Sequence, residues 1–325
     1  MMKKKLVHVC VFFFIVVLSI GAVQNPFSLH YIGELKDDSQ MVIKQQDPLY
    51  EEIAARAEEY REAAIDARID RVWKAVPGYN GREVDIDASF DKMKKLGSFA
   101  EERLIYRETS PSVHLEDLPP AGIYRGNEQK PMITFLVNVA WGNEYLPEIV
   151  KVLNKYDLKT TFFLDGSWVK KNPSLAMMLV EEGHEIGNHA YSHPDMNTLT
   201  AARIEEEISR TNEVIEATLD LTPEWFAPPS GSYNQTVVEQ AAKHGMKTIL
   251  WSVDTVDWRK PDPNEMVNRV LSKLHNGAMI LMHPTEPTAA GLEALIKGIQ
   301  AEGYRIGPVS ELLSEKRVML QTALD

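Results

Sequence analysis

The sequence predicts an α/β protein whose second half is a closed or nearly closed barrel of parallel strands. Three observations carry this. From Met132 onward, short apolar runs alternate with amphipathic stretches, the signature of strand–helix repeats joined by right-handed crossovers. The composition, 44% hydrophobic and 25% charged over 325 residues, is that of a globular chain with a large core. The polar outliers fall at the carboxyl ends of the apolar runs, where α/β barrels place their chemistry.

The first element, residues 1–23, reads as a signal peptide or signal-anchor. Lys3, Lys4 and Lys5 precede an apolar run from Leu6 to Val23, about 27 Å long as a helix. Ala22 is a small residue suited to precede a cleavage site, while Ile20 suits that site poorly, so cleavage and retention both stay open. Either fate places the body on the outer side of the cytoplasmic membrane, with the membrane as a partner through this segment. Cys10 is the single cysteine, which excludes an intramolecular disulfide and any cysteine-based metal site.

Residues 24–120 read as a helical and small α/β accessory region. Gln24 to Asp47 is polar and irregular, a linker. Ile53, Ala57, Tyr60 and Ala64 recur at helical spacing and predict a helix over 49–73, stopped by Pro77-Gly78. Val84, Ile86 and Ala88 alternate and predict a strand over 83–88. Ser89 is the expected N-cap of a short helix that Gly97 ends, and 103–107 is a second strand. No aromatic cluster marks a wall-binding module, so a spacer or docking role is expected.

Pro119-Pro120 and Gly122 open the third region, 121–325. Its strands are expected at Met132–Val139, Thr161–Leu164, Glu185–Gly187, Trp225–Ala227, Thr248–Val253, Ala278–Met282 and Tyr304–Ile306. Helices are expected at 144–155, 201–218, 235–243 and 265–274. The net charge of −12, from 47 acidic against 35 basic residues, lacks the basic face a nucleic-acid binder needs. Asn138 ends the first strand, His189 and His193 follow the third, and Pro228-Pro229-Ser230 follow the fourth. Asp254 and Asp257 follow the fifth, and His283 follows the sixth. Two histidines four apart in a tight loop can converge on one divalent ion. Asp254 and Asp257 beside Trp258 offer carboxylates for acid–base work or for capping. His184 and His244 read as structural or surface residues.

Together these segments resemble the polysaccharide deacetylases of carbohydrate esterase family four, over about Lys130 to Leu313. Gly183-His184-Glu185-Ile186-Gly187-Asn188-His189 through Ser192-His193-Pro194 resembles that family's second motif. Phe226-Ala227-Pro228-Pro229-Ser230-Gly231 stands where the family has an Arg-Pro-Pro-Tyr-Gly type sequence. Asp254 to Trp258 is similar to its fourth motif, and Leu281-Met282-His283 to its fifth. The layout resembles the membrane-anchored, sporulation-linked members. The resemblance implies a distorted (β/α)7 barrel and metal-dependent removal of acetyl groups from a cell-wall polysaccharide such as peptidoglycan. It implies Zn2+ or another divalent metal on His189 and His193, with a first-motif aspartate as third ligand. It makes His283 the general acid, oriented by Asp254 or Asp257, with Ser230 near the oxyanion and Trp258 and Leu281 lining the acetyl pocket.

Three departures accompany the matches. Counting back without gaps from Pro147 and Lys155-Tyr156 puts Asn138 at the general-base position and Val139 at the metal-aspartate position. Ala227 replaces the arginine that would steady the base. Asparagine accepts no proton near neutral pH and valine offers no ligand, so the ion is expected to be held weakly. Two readings stand: an exported deacetylase with impaired chemistry, and a silent glycan-binding relative that keeps the groove. A purely structural anchor accounts for the N-terminal segments and leaves His189, His193 and His283 unexplained.

Overall fold

The computed structural model describes residues 2–23, 25–31 and 47–318. In chain order its strands are β1 Arg68–Asp70, β2 Lys74–Val76, β3 Gly81–Val84, β4 Tyr106–Thr109, β5 Met132–Val139, β6 Thr161–Leu164, β7 Glu185–Asn188, β8 Trp225–Phe226, β9 Lys247–Thr248, β10 Val253–Asp254, β11 Met279–Met282 and β12 Arg305–Ile306. The chain divides into two compact units. The smaller runs up to Glu62 and again over Arg82–Arg107; the larger takes Ala63–Gly81 and everything from Glu108. Residues 63–81 and 108–120, placed within the accessory region by the sequence, thus group with the barrel.

In the smaller unit, Met2–Val23 is helical and its apolar side chains, Phe12, Phe13 and Phe14 among them, are exposed. Among the described residues, no helix is long and apolar enough to cross a membrane. Most of the expected linker, 32–46, lies outside the described residues.

The helix expected over 49–73 is shorter. It runs over Pro48–Arg56, capped by the Asp47 carboxylate on Leu49 N–H, and continues as a 3-10 turn to Tyr60. Beyond it, Glu62 exchanges two backbone hydrogen bonds of 2.9 Å with Arg82, which pulls the chain out of helical register. Periodicity alone cannot register such a partner. Leu49 and Ile53 pack with Val84, Phe90, Met93 and Leu104 in a small core. Asp85, rather than Ser89, caps the Ile86–Met93 helix through Ala88 N–H. The expected 83–88 strand therefore ends at Val84. Ser89 is buried inside the helix and its hydroxyl accepts from Ile105 N–H at 2.9 Å.

The larger unit is built on a curled parallel sheet of hydrogen-bonded order β10-β11-β5-β6-β7-β8-β9, with β12 paired to Met132 and Ile133 of β5. β5 and β6 lie where the sequence predicts them. All eight side chains of β5 are buried, as its nearly unbroken apolar run requires for a strand covered on both faces. Its side chains alternate. Ile133, Phe135, Val137 and Val139 pack outward against helical residues such as Ile149, Leu153 and Leu295. Met132 and Leu136 face the interior with Phe163, Trp225, Ala227 and Met279, and the period places Asn138 on that inner row. At Gly187 a Cβ would stand 2.4 Å from the Phe163 ring, so only glycine lets β7 lie against that ring.

The run expected as one strand, Thr248–Val253, is split into β9 and β10. Ile249 N–H bonds Phe226 O of β8, Leu250 N–H bonds Ile123 O, and Ser252 N–H bonds Met279 O of β11. The chain changes partner at each step, and no ladder joins β9 to β10 among the described residues. The sheet is therefore an interrupted barrel at that seam.

Candidate active site

The inner ends of β10, β11, β5, β6 and β7 are neighbours in the sheet. The side chains that follow them therefore meet at one mouth of the barrel. Asp257 is its most buried carboxylate, with no exposed surface. His283 lies just past β11, and its backbone N–H donates to Asp257 Oδ2 at 2.6 Å. His283 Nδ1 stands 2.9 Å from Asp257 Oδ1 and donates to it, which directs Nε2 away from the carboxylate. Thr288 Oγ1 donates to Oδ2 at 2.7 Å, with Thr285 Oγ1 at 3.3 Å. Burial pushes the Asp257 carboxyl up, but the His283 hydrogen bonds and charge and the Thr288 hydroxyl outweigh it and hold it below the ordinary value.

The sequence left Asp254 and Asp257 as alternatives for orienting His283, and the structure brings Asp257 to it. Asp254 Oδ1 instead accepts from Val256 N–H at 2.7 Å and shapes the turn. That turn needs shaping, because Val256 has a left-handed φ of 53°. Thr255 Oγ1 donates to Leu281 O at 2.9 Å and ties the turn to β11.

His189 follows β7 and is buried, with its Nδ1 donating to Ala227 O at 2.7 Å. That bond fixes the tautomer and leaves Nε2 with the free lone pair. Burial, then the neighbouring His193, push the His189 pKa down to about 3. The two rings lie 5.2 Å apart at 71°. The 189–193 loop is pinned by Glu207, a buried carboxylate that accepts from Tyr191 N–H, Ser192 N–H and Ser192 Oγ at 2.8–2.9 Å. His193 itself adopts a left-handed φ of 53°.

Between the two histidine sites, Asn138 is buried and its Oδ1 has no hydrogen-bond partner. Val139 points the other way, fully buried among helix-facing apolar residues. Ala227 sits in the interior cluster, and no guanidinium stands in its place. Leu281 is buried on β11 opposite Leu136 of β5. Ser230 is exposed with a left-handed φ of 54°. Trp258 is half-exposed with the Arg259 guanidinium 4.7 Å from its ring.

Three residues at this mouth escaped the sequence reading. Trp141 lies two positions past β5 and stacks on His283 with ring centroids 5.8 Å apart and planes 9° from parallel. Asp165 directly follows β6, so the strand-end rule that found the others could have found it. Its carboxyl is pushed up by burial, against hydrogen bonds from Ser167 and Trp168 and the charge of His193. Glu207 falls on a helix face with Ile204, Ile208 and Thr211, an acidic residue where the period calls for an apolar one.

The expected divalent ion can be tested on the donors present. His189 and His193 supply two nitrogens, and Val139 supplies nothing where the third ligand should stand. Among the described residues, no group of three His, Cys, Asp or Glu side chains is placed to hold an ion. A catalytic zinc centre takes three protein ligands, so the set does not fit one.

Residues 125–249 match the polysaccharide deacetylase family model. The chain is 52% identical over 318 residues to the Bacillus subtilis protein YlxY, covering 98% of this chain and all of that one. It is 31% identical over 202 residues to the B. subtilis peptidoglycan-N-acetylmuramic acid deacetylase PdaA, covering 61% of this chain and 77% of PdaA. A Bacillus anthracis structure described as a CE4 family pseudoenzyme superposes with a TM-score of 0.79 at 51% identity, covering 84% of this chain and 97% of that one. A mutant of that pseudoenzyme, described as having restored enzymatic activity, superposes with a TM-score of 0.79 at 50% identity, covering 83% and 99%. The curled sheet, the motifs at its strand ends and these likenesses agree: the chain belongs to the polysaccharide deacetylases of carbohydrate esterase family four.

Proposed function

We propose that the chain is a glycan-binding member of this family whose acetyl-removing chemistry is silenced. The carrying observation is Asn138: an amide in the general-base position, buried with its Oδ1 unpartnered, beside an intact Asp257–His283 pair. A hydrolytic deacetylase needs a group to take a proton from water and another to give one to the leaving amine. His283 is positioned for the second task. Nothing at Asn138 can perform the first, and losing a general base typically costs about 10²–10⁴ in rate. Val139 and the two-histidine donor set support the same reading, as does the likeness to a structure described as a pseudoenzyme.

The glycan is a cell-wall polysaccharide of the peptidoglycan class, the substrate named for PdaA. Any divalent ion is held weakly on His189 and His193. The lysines and apolar run of residues 1–23 export the protein or anchor it on the outer side of the cytoplasmic membrane. The test is to titrate the full chain with N-acetylated chitooligosaccharides and peptidoglycan fragments in a calorimeter, and to assay acetate in the same samples. Binding without acetate is expected. Absence of binding to every acetylated glycan refutes the reading.

A further inference from the structure

We propose that Trp141 is the wall on which a sugar ring of the bound glycan stacks, beside His283; this rests on the glycan-binding reading above. The sheet order β10-β11-β5 sets the strand of His283 between those that lead to Trp258 and Trp141. Both indoles are about half exposed, 46% for Trp141 and 49% for Trp258. Among the described residues of the larger unit, the other exposed large apolar side chains, Ile69 and Val72, belong to the β1–β2 hairpin. The mouth of the barrel thus holds two open indoles flanking one histidine. Exposed aromatic surface gathered at a mouth marks a binding site.

The geometry selects Trp141 as the stacking wall. Its indole lies nearly parallel to the His283 ring, 9° off with centroids 5.8 Å apart, and 46% of the residue stays exposed, so indole surface is open beside His283. A pyranose ring has a flat apolar C–H face and a rim of hydroxyls. Stacked on the open indole surface, it loses apolar area to water and keeps its rim in solvent. Trp258 carries the Arg259 guanidinium over its ring at 4.7 Å, and Trp141 is the indole that lies against His283. Trp141 therefore sets which glycans bind, by demanding an unhindered C–H face at the sugar next to His283.

The test is calorimetric titration of the full-length chain, Trp141→Ala and Trp141→Phe with N-acetylated chitopentaose, each checked for an unchanged melting temperature. Loss of one ring stack should weaken binding about tenfold in Trp141→Ala, while Trp141→Phe, which keeps a ring, should stay within about threefold. Binding by Trp141→Ala equal to that of the unmodified chain overturns the inference and leaves the glycan-binding reading standing. Failure of the unmodified chain to bind overturns that reading and the inference with it.

Discussion

Asp257→Ala removes the carboxylate on which four donors converge, and its effect can be worked from the site. The donors are His283 N–H at 2.6 Å, His283 Nδ1–H at 2.9 Å, Thr288 Oγ1 at 2.7 Å and Thr285 Oγ1 at 3.3 Å. Hydrogen bonds to a charged group each contribute about 1.5–3 kcal/mol net, but four donors sharing two oxygens are not additive. Breaking a buried charged pair by deleting one member costs about 3–5 kcal/mol, and that range is expected here. For a unit of this size, about 2–4 °C of melting temperature follows each kcal/mol, so the loss should be on the order of 10 °C. The folded carboxyl titrates below its unfolded value, so its stabilisation is present above about pH 4 and is lost as pH falls through the folded value. The gap between wild type and Asp257→Ala in urea titrations should therefore be widest near pH 7 and narrow toward pH 3. A loss under about 1 kcal/mol at pH 7, with the His283 ring resonances unmoved, would show that Asp257 does not hold His283 as described.

Two further outcomes are expected. Burial, then the charge of Lys159, push His184 down to about 4 against the opposing charge of Glu182, and burial also lowers His275. The unfolded chain then binds protons below about pH 6.5 that the folded chain refuses, so stability falls as pH drops, on the order of 2 kcal/mol at pH 5 from His184. The half-buried His114–Glu315 pair acts in the opposite sense but is partly solvent-screened. A melting temperature that stays flat from pH 7.5 to 5 would contradict this. Separately, His193 is exposed and its replacement by alanine should abolish residual zinc uptake while leaving the apo melting temperature nearly unchanged. Unchanged zinc stoichiometry in His193→Ala would sink the assignment of the ion to the histidine pair.

Strands buried on both faces announce themselves in one dimension, which is why β5 and β6 fall where the apolar runs predict them. The rest required partners that a sequence does not display. The 49–73 periodicity is real, yet Glu62 finds Arg82 and the helix stops. The 248–253 run is mostly apolar, yet its backbone meets three different neighbours in turn. At the site, His189, His193 and His283 were legible because they break apolar strand ends. The choice between Asp254 and Asp257 was not, because a carboxylate that shapes a turn and one that grips an imidazole look alike in a motif. Trp141 was hidden for a related reason: its significance lies in the angle it makes with His283, 142 residues away in sequence and at the end of the neighbouring strand of the sheet.

Acetate release from N-acetylated chitooligosaccharides, measured with added zinc for the natural chain beside Asn138→Asp, tests the silent-enzyme account most directly. The natural chain should release none. Asn138→Asp fits sterically and supplies a proton acceptor, which is worth up to about 10²–10⁴ in rate when correctly held. Its gain should be partial, because Ala227 offers no guanidinium and Val139 no ligand. Robust acetate release by the natural chain would contradict the account, since it would require a base that Asn138 cannot be.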